Sequence, residues 1–525
     1  MLISITTLVA FLAICAESVH AASRKLSDVF DVNMASFEPS NSNPNQGSWH
    51  GSCLRPLNNP QFPGNTKPLF DPAADFNSRD NILNNIWYQI YQMTFQARVA
   101  LGNTNLKTYP EAQKLIWSFW AIWWTDIWSE TNPNGPVQPR GQIGMKLKAI
   151  RDRYKKLHEL FEPPQSVSPM SRRDMPKLSC DSTYFELQDW NDPALDKNGK
   201  EIIDPETDEP YHLKDWEAEH GRNFEDMWYL WYDIGTDKGY LVLSRKDYPP
   251  EAPNKPWPWA LDKDTGEPSY CAHGTEKGTE RMGAVFVPLE AYEASSHSGS
   301  SDEDEDNGAN AWTQSNHIIL CPQSFNIGRA DDFLEPEYDD STLDDMEITA
   351  LTLYHEIWHH LYPGRWAPDY KAMPAVRDAN NKLSLLWPAH KAGYRTDYEH
   401  DISGALESMQ LAQYERAIPE TLNINEFKTW RCPECYAWFG RAYYLTVHPK
   451  TGQDWSTGLL RPHGSPFVSP TENAPNDKHA VANISAHSFG TIEAPYEAWD
   501  FEKEDELLED AAIWTDGAFR DGQYR

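Results

Sequence analysis

The sequence predicts an α+β fold with an N-terminal helical part, a small mixed sheet and a helix carrying His355-Glu356-Ile357-Trp358-His359. Three observations support it. Apolar residues recur at helical spacing over 82–101, 111–128 and 145–161, as in Ile86, Ile90 and Val99. Two short apolar runs, Gly283-Ala284-Val285-Phe286-Val287-Pro288 and His317-Ile318-Ile319-Leu320-Cys321-Pro322, read as strands. A further amphipathic stretch, 341–362, holds two histidines four residues apart.

In chain order, residues 1–21 are an apolar stretch followed by small residues, with Val19-His20-Ala21 as a cleavage site, and read as a signal peptide. The expected product is secreted and extracellular, because no later stretch is apolar and long enough to span a bilayer. Residues 22–66, rich in Asn, Ser, Pro and Gly, form an irregular arm or a pro-segment. The region 67–450 then carries the expected catalytic body. In the second of its three early helices, Trp117, Phe119, Trp120, Trp123, Trp124 and Trp128 make an aromatic face, read as core packing rather than a ligand platform.

A long insertion is expected at about 163–310, irregular except for short strands such as Tyr240-Leu241-Val242-Leu243. Within it, Asp302-Glu303-Asp304-Glu305-Asp306 lacks the spaced ligands and central Gly of a calcium loop and reads as a solvated run. Residues 451–525 form an acidic, Pro-containing tail. Asn483-Ile484-Ser485 is a glycosylation triplet.

Composition excludes one class of partner. With 79 Asp and Glu against 46 Lys and Arg, the net charge of −33 gives no basic field for nucleic acid. Protein or peptide substrates are expected, with no nucleic acid and no membrane. Beyond Cys15 in the signal, six cysteines remain: Cys53, Cys180, Cys271, Cys321, Cys432 and Cys435. An even set suits disulfides in an oxidising compartment. Cys432-Pro433-Glu434-Cys435 reads as structural, one or both cysteines bridged elsewhere, since no thioredoxin-like pattern surrounds it.

The chemistry lies in 341–362. Ser341 and Asp344 form a capping-box pattern at the expected helix start, and Pro363-Gly364 ends it. His355 and His359 share one helix face and can bind a single Zn2+ ion through ring nitrogens. Glu356 projects beside them as the general base that takes a proton from the attacking water. His360, on another face, reads as a cation of the last turn. The expected reaction is peptide-bond hydrolysis through a zinc-activated water. The longer pattern His-Glu-x-x-His-x-x-Gly-x-x-His fails, because Tyr362 and Arg365 stand at its last two places. Asp369, Asp397, Glu399, His400, Asp401 and Glu407 remain open as the third ligand.

The chain is similar to the deuterolysin and lysine-specific metalloendopeptidase group, the aspzincins, as a divergent fungal member. The resemblance rests on His317 to Pro322, on Thr352-Leu353-Tyr354-His355-Glu356-Ile357-Trp358-His359, and on Cys435-Tyr436-Ala437-Trp438-Phe439. It implies a zincin-like metallopeptidase fold, with substrate extended along an edge strand supplied by Val285–Val287 or Ile318–Leu320. Members take a third ligand from Gly-Thr-x-Asp-x-x-Tyr-Gly. The counterpart here is Tyr398-Glu399-His400-Asp401-Ile402-Ser403-Gly404. Aligning on Gly404 implies His400, and a one-residue slip implies Asp401, with Asp397 in reserve. The family's oxyanion Tyr is replaced by Ser403, leaving Tyr394, Tyr398 and Tyr436 as candidates.

Two alternatives stand beside the endopeptidase. One is a gluzincin-type peptidase with Glu407 or Glu399 as third ligand. The other is a catalytically inactive zincin-fold extracellular binding protein, against which the intact Glu356 weighs.

Overall fold

In the computed structural model of the chain, the residues described are 24–32, 52–53, 69–70, 81–102, 110–122, 141–163, 175–182, 184–220, 227–233, 238–244, 270–271, 282–288, 317–326, 341–362, 371–372, 376–377, 383–384, 400–401, 404–417, 429–448, 453–458 and 460–462. The fold is α+β. Among them no helix is long and apolar enough to cross a membrane.

Three helices open it: α1 (Ile82–Gly102), α2 (Pro110–Trp120) and α3 (Gly141–Phe161). Asn81 precedes α1, and its Oδ1 accepts the Asn84 N–H, the way a cap satisfies an orphan donor. Helix α2 starts on Pro110, whose fixed φ suits a first turn. It stops at Trp120, eight residues short of the expected Trp128, because Ala121 turns to φ 52°, a left-handed conformation that ends a helix. The aromatic face of α2 is core, as expected: Trp117, Phe119 and Trp120 are buried. Trp123, Trp124 and Trp128 lie outside the described residues.

Six strands form one mixed sheet, β1 (Lys177–Ser179), β2 (Phe185–Gln188), β3 (Met227–Asp233), β4 (Lys238–Ser244), β5 (Gly283–Pro288) and β6 (His317–Leu320), in the order β1-β6-β5-β4-β3-β2. Only β1 and β6 run parallel. The stretch expected as an insertion thus supplies β1 to β5 of the sheet that holds β6. Strands β5 and β6 pair antiparallel from Gly283↔Leu320 to Phe286↔His317.

Side chains alternate across this sheet as the pleat requires. Ile318 and Leu320 join the helices' core, while Ala284, Phe286, Ile319 and Cys321 pack on the far face with Tyr184, Leu230 and Leu241. Over β3 and β4, the segment 190–219, which includes the short helix α4 (Leu213–Glu219), covers Tyr229, Trp231, Tyr240 and Val242. Disulfides Cys53–Cys180 and Cys271–Cys321 tie distant segments to the sheet.

Three more helices complete the body: α5 (Thr349–Leu361), α6 (Ala405–Ala417) and α7 (Pro433–Val447). Strands β7 (Lys371–Ala372), β8 (Val376–Arg377), β9 (Leu383–Ser384) and β10 (His400–Asp401) pair as β7 with β10 and β8 with β9. Helices α1, α2, α3, α5 and α7 share one core, with Trp87, Trp120, Tyr154, Trp358, Tyr436 and Trp438 fully buried. Trp120 packs on Phe439 at 4.3 Å between ring centroids, and Trp358 on Tyr436 at the same distance. Residues 453–458 join this body too, since Trp455 is buried and the buried Lys114 on α2 bonds Asp454 at 3.0 Å.

Packing at this density makes volume changes costly. Trp120→Ala should lower unfolding free energy in urea by about 3–5 kcal/mol. Gly440→Ala would place its methyl 2.9 Å from the Tyr354 ring and should cost about 1–3 kcal/mol through overpacking. A loss near zero for both would contradict the shared core.

Candidate active site

Helix α5 carries the His-Glu-x-x-His segment, but it begins later than the sequence suggests. Its N-cap is Ile348, and Asp344–Met346 forms a separate 3-10 turn. Thr342 and Asp345 pair ahead of it: Asp345 Oδ2 accepts both the Thr342 N–H at 2.7 Å and its hydroxyl at 2.9 Å. Asp344 serves a different helix: its Oδ1 accepts the Ala405 N–H at 2.6 Å and so caps α6.

Leu353, Tyr354, Ile357, Trp358 and Leu361 bury the apolar side of α5, which leaves His355 and His359 half-buried on another side. Their Nε2 atoms approach to 2.8 Å. Nδ1 of His355 lies 2.5 Å from Glu434 Oε2 in the first turn of α7, and the indole N–H of Trp438 donates to Glu434 Oε1 at 2.8 Å. A carboxylate on Nδ1 holds the proton there and frees the Nε2 lone pair. Two nitrogens on one tetrahedral zinc stand about 3.3 Å apart, so a small opening of the pair fits the ion. The pair could furnish two nitrogen ligands to a metal ion.

Among the described residues, no group of three or more His, Cys, Asp and Glu side chains gathers as a metal site. Backbone at His400 and Asp401 forms β10, paired with β7, and their side chains lie outside the described residues. So do Asp369, Asp397, Glu399, Tyr394 and Tyr398. Glu407 is half-buried in the first turn of α6. Tyr436 is fully buried and its hydroxyl donates to the Trp430 carbonyl at 2.7 Å, which removes it from an oxyanion role.

The carboxylate of Glu356 is buried under strand β5: a Cβ placed on Gly283 would stand 2.9 Å from its Oε1. Of the two strands expected to receive substrate, β6 is excluded, since β1 and β5 flank it on both sides. Strand β5 pairs with β6 through Gly283–Phe286 and with β4 only through Val287 and Pro288. Its first half has one flank with no strand partner among the described residues.

Two other expectations are corrected. His360 is no last-turn cation: it is buried, with its ring 6.0 Å from that of Phe30, and burial pushes its pKa down to about 3. Desolvation keeps it neutral. Cys432 and Cys435 are not bridged but are buried, reduced thiols, because the other four cysteines pair among themselves.

Sequence reasoning missed Glu434 and Gly283, which the structure brings against His355 and Glu356. Glu434 lies between two cysteines in the first turn of a helix, where an acidic residue is ordinary and carries no signal of its own. No signal in the chain singles out Gly283. No family model, curated protein or solved structure matches this chain.

Carboxylates crowd this end of α5. Burial, with Glu434 and Asp344 nearby, raises Glu347 to about 7. Burial also raises Asp344 to about 6, more than its two backbone donors lower it, and Glu407 and Glu434 add to the rise. Both groups hold protons in the folded state that they lose on unfolding. Their favourable contribution is complete below about pH 4 and vanishes as pH rises through 6 to 7. Unfolding free energy of the metal-free protein should therefore fall over that window, and Glu347→Gln should flatten the upper part of the fall. A profile identical to wild type would place Glu347 in solvent.

Proposed function

We propose that this chain is a secreted zinc-dependent endopeptidase of zincin-like fold, acting on proteins or peptides. One observation carries the reading: two imidazoles converge at Nε2, one held at Nδ1 by Glu434, beside the buried carboxylate of Glu356. A structural histidine pair has no need of a carboxylate on the adjacent residue. The two disulfides fit an oxidising compartment.

His355 and His359 would hold the ion, with His400, Asp401 or Asp397 as third ligand. Zinc, when bound, supplies a Lewis acid for the scissile carbonyl and makes water a nucleophile near neutral pH. Glu356 takes the proton of the attacking water on its carboxylate and returns it to the leaving amine. Glu434 keeps His355 in the tautomer with Nδ1–H and fixes its ring. On the flank of β5 without a strand partner, the Gly283 carbonyl is held by Tyr270, and the main-chain groups of Val285 are offered to an extended peptide. The strand's nearness to Glu356 would lay the scissile bond beside the base.

Elemental analysis should find one zinc per chain in wild type and in Glu356→Gln, with casein cleaved by wild type alone. Zinc bound but no cleavage by wild type would favour the binding-protein alternative, and no zinc would sink the reading. Glu434→Gln should weaken zinc affinity by about 10–100-fold. Substituting His400, Asp401, Asp397, Glu399 and Glu407 in turn identifies the third ligand as the variant that loses zinc, with Glu399 or Glu407 pointing to the gluzincin type.

A further inference from the structure

We infer that Gly283 and Tyr270 are positioning residues for Glu356, acting through the backbone of strand β5; the inference rests on Glu356 being the general base. Ala284 and Phe286 face the far core, so the side-chain direction at 283 is toward α5.

A methyl group there would meet three atoms: Glu356 Oε1 at 2.9 Å, Glu356 Cγ at 3.0 Å and the Ile319 carbonyl oxygen at 3.0 Å. The Ile319 oxygen belongs to β6, paired residue by residue with β5, and cannot retreat without breaking the ladder. Only the Glu356 side chain can give way. Glycine at 283 is thus the condition for the carboxylate to lie where it does, in contact with main chain.

Contact positions a side chain only if the strand itself is held. Three constraints hold this one. The Tyr270 hydroxyl donates to the Gly283 carbonyl at 2.7 Å, and its ring meets Phe286 edge-on at 5.2 Å. On the neighbouring residue, the Cys321 N–H donates to the Met282 carbonyl at 2.8 Å. The disulfide Cys271–Cys321 joins the residue after Tyr270 to the residue after β6. One covalent link therefore ties the Tyr270 anchor to the strand on which β5 is registered, and the Gly283 backbone sits as a fixed wall against the base.

A wall against the base affects the chemical step rather than the affinity for substrate. With casein-derived peptides, Gly283→Ala should keep its zinc and its KM while kcat falls about a hundredfold, the scale of an ångström-sized misplacement. Tyr270→Phe removes one anchor and should lower kcat severalfold, again at constant KM. Cobalt substituted for zinc should give a visible spectrum that differs between Gly283→Ala and wild type, a change a remote packing defect would not produce.

A wild-type kcat in Gly283→Ala, or a loss confined to KM, would overturn the inference and leave the endopeptidase reading intact. Should Gly283→Ala fail to fold, Tyr270→Phe decides: lowered kcat at unchanged KM and zinc content supports the inference, and wild-type kcat overturns it. Wild-type protein without zinc or hydrolysis would remove both.

Discussion

The structure depends on the burial of helix α5. Its apolar side is enclosed by aromatic side chains of α3 and α7, with Trp358 lying between Tyr154 and Tyr436 at 5.4 and 4.3 Å. Each such ring contributes several kcal/mol, roughly 3–5 by truncation, and their combined burial leaves one rotation of the helix about its axis. In that rotation His355 and His359 stand half-exposed and Glu356 lies under β5. A turn of the helix would expose Trp358 and bury both imidazoles. The same contacts that stabilise the core therefore aim the reactive groups.

The site is built from charge as well as packing. Glu434 stays beside His355 because both its oxygens have donors, an imidazole N–H and an indole N–H, and charge-assisted bonds offset desolvation. At its neighbours Asp344 and Glu347 burial dominates, outweighing even the two backbone donors of Asp344, and lifts both toward neutral pH. Carboxylates collected at one end of a helix raise one another's proton affinity. A divalent cation held by His355 would relieve part of that repulsion.

Much of the fold was legible because it rests on local signals. The helices at 82–102 and 141–161 and the strands at 240–243, 283–288 and 317–320 follow from periodicity that chain-neighbour sterics impose. The end of α2 was not, since nothing in Ala121 announces a positive φ. Nor was the start of α5: Ser341 and Asp344 match a capping pattern, yet Asp344 turns to cap α6, some sixty residues away in sequence. Cys432 and Cys435 gave no sign of staying reduced, because pairing depends on distance in space and spacing along the chain is silent on it.

What the sequence determined by itself is the pairing of His355 with His359 and the place of Glu356 beside them, because a four-residue helical offset puts two side chains on one face wherever the helix lies. Tertiary structure alone decided what surrounds them: Glu434 against Nδ1, the glycine wall under β5, and the thiols left unbridged. Those contacts join residues that are dozens to a hundred or more apart in the chain, and only the mutual burial of helices and sheet brings them within a few ångströms.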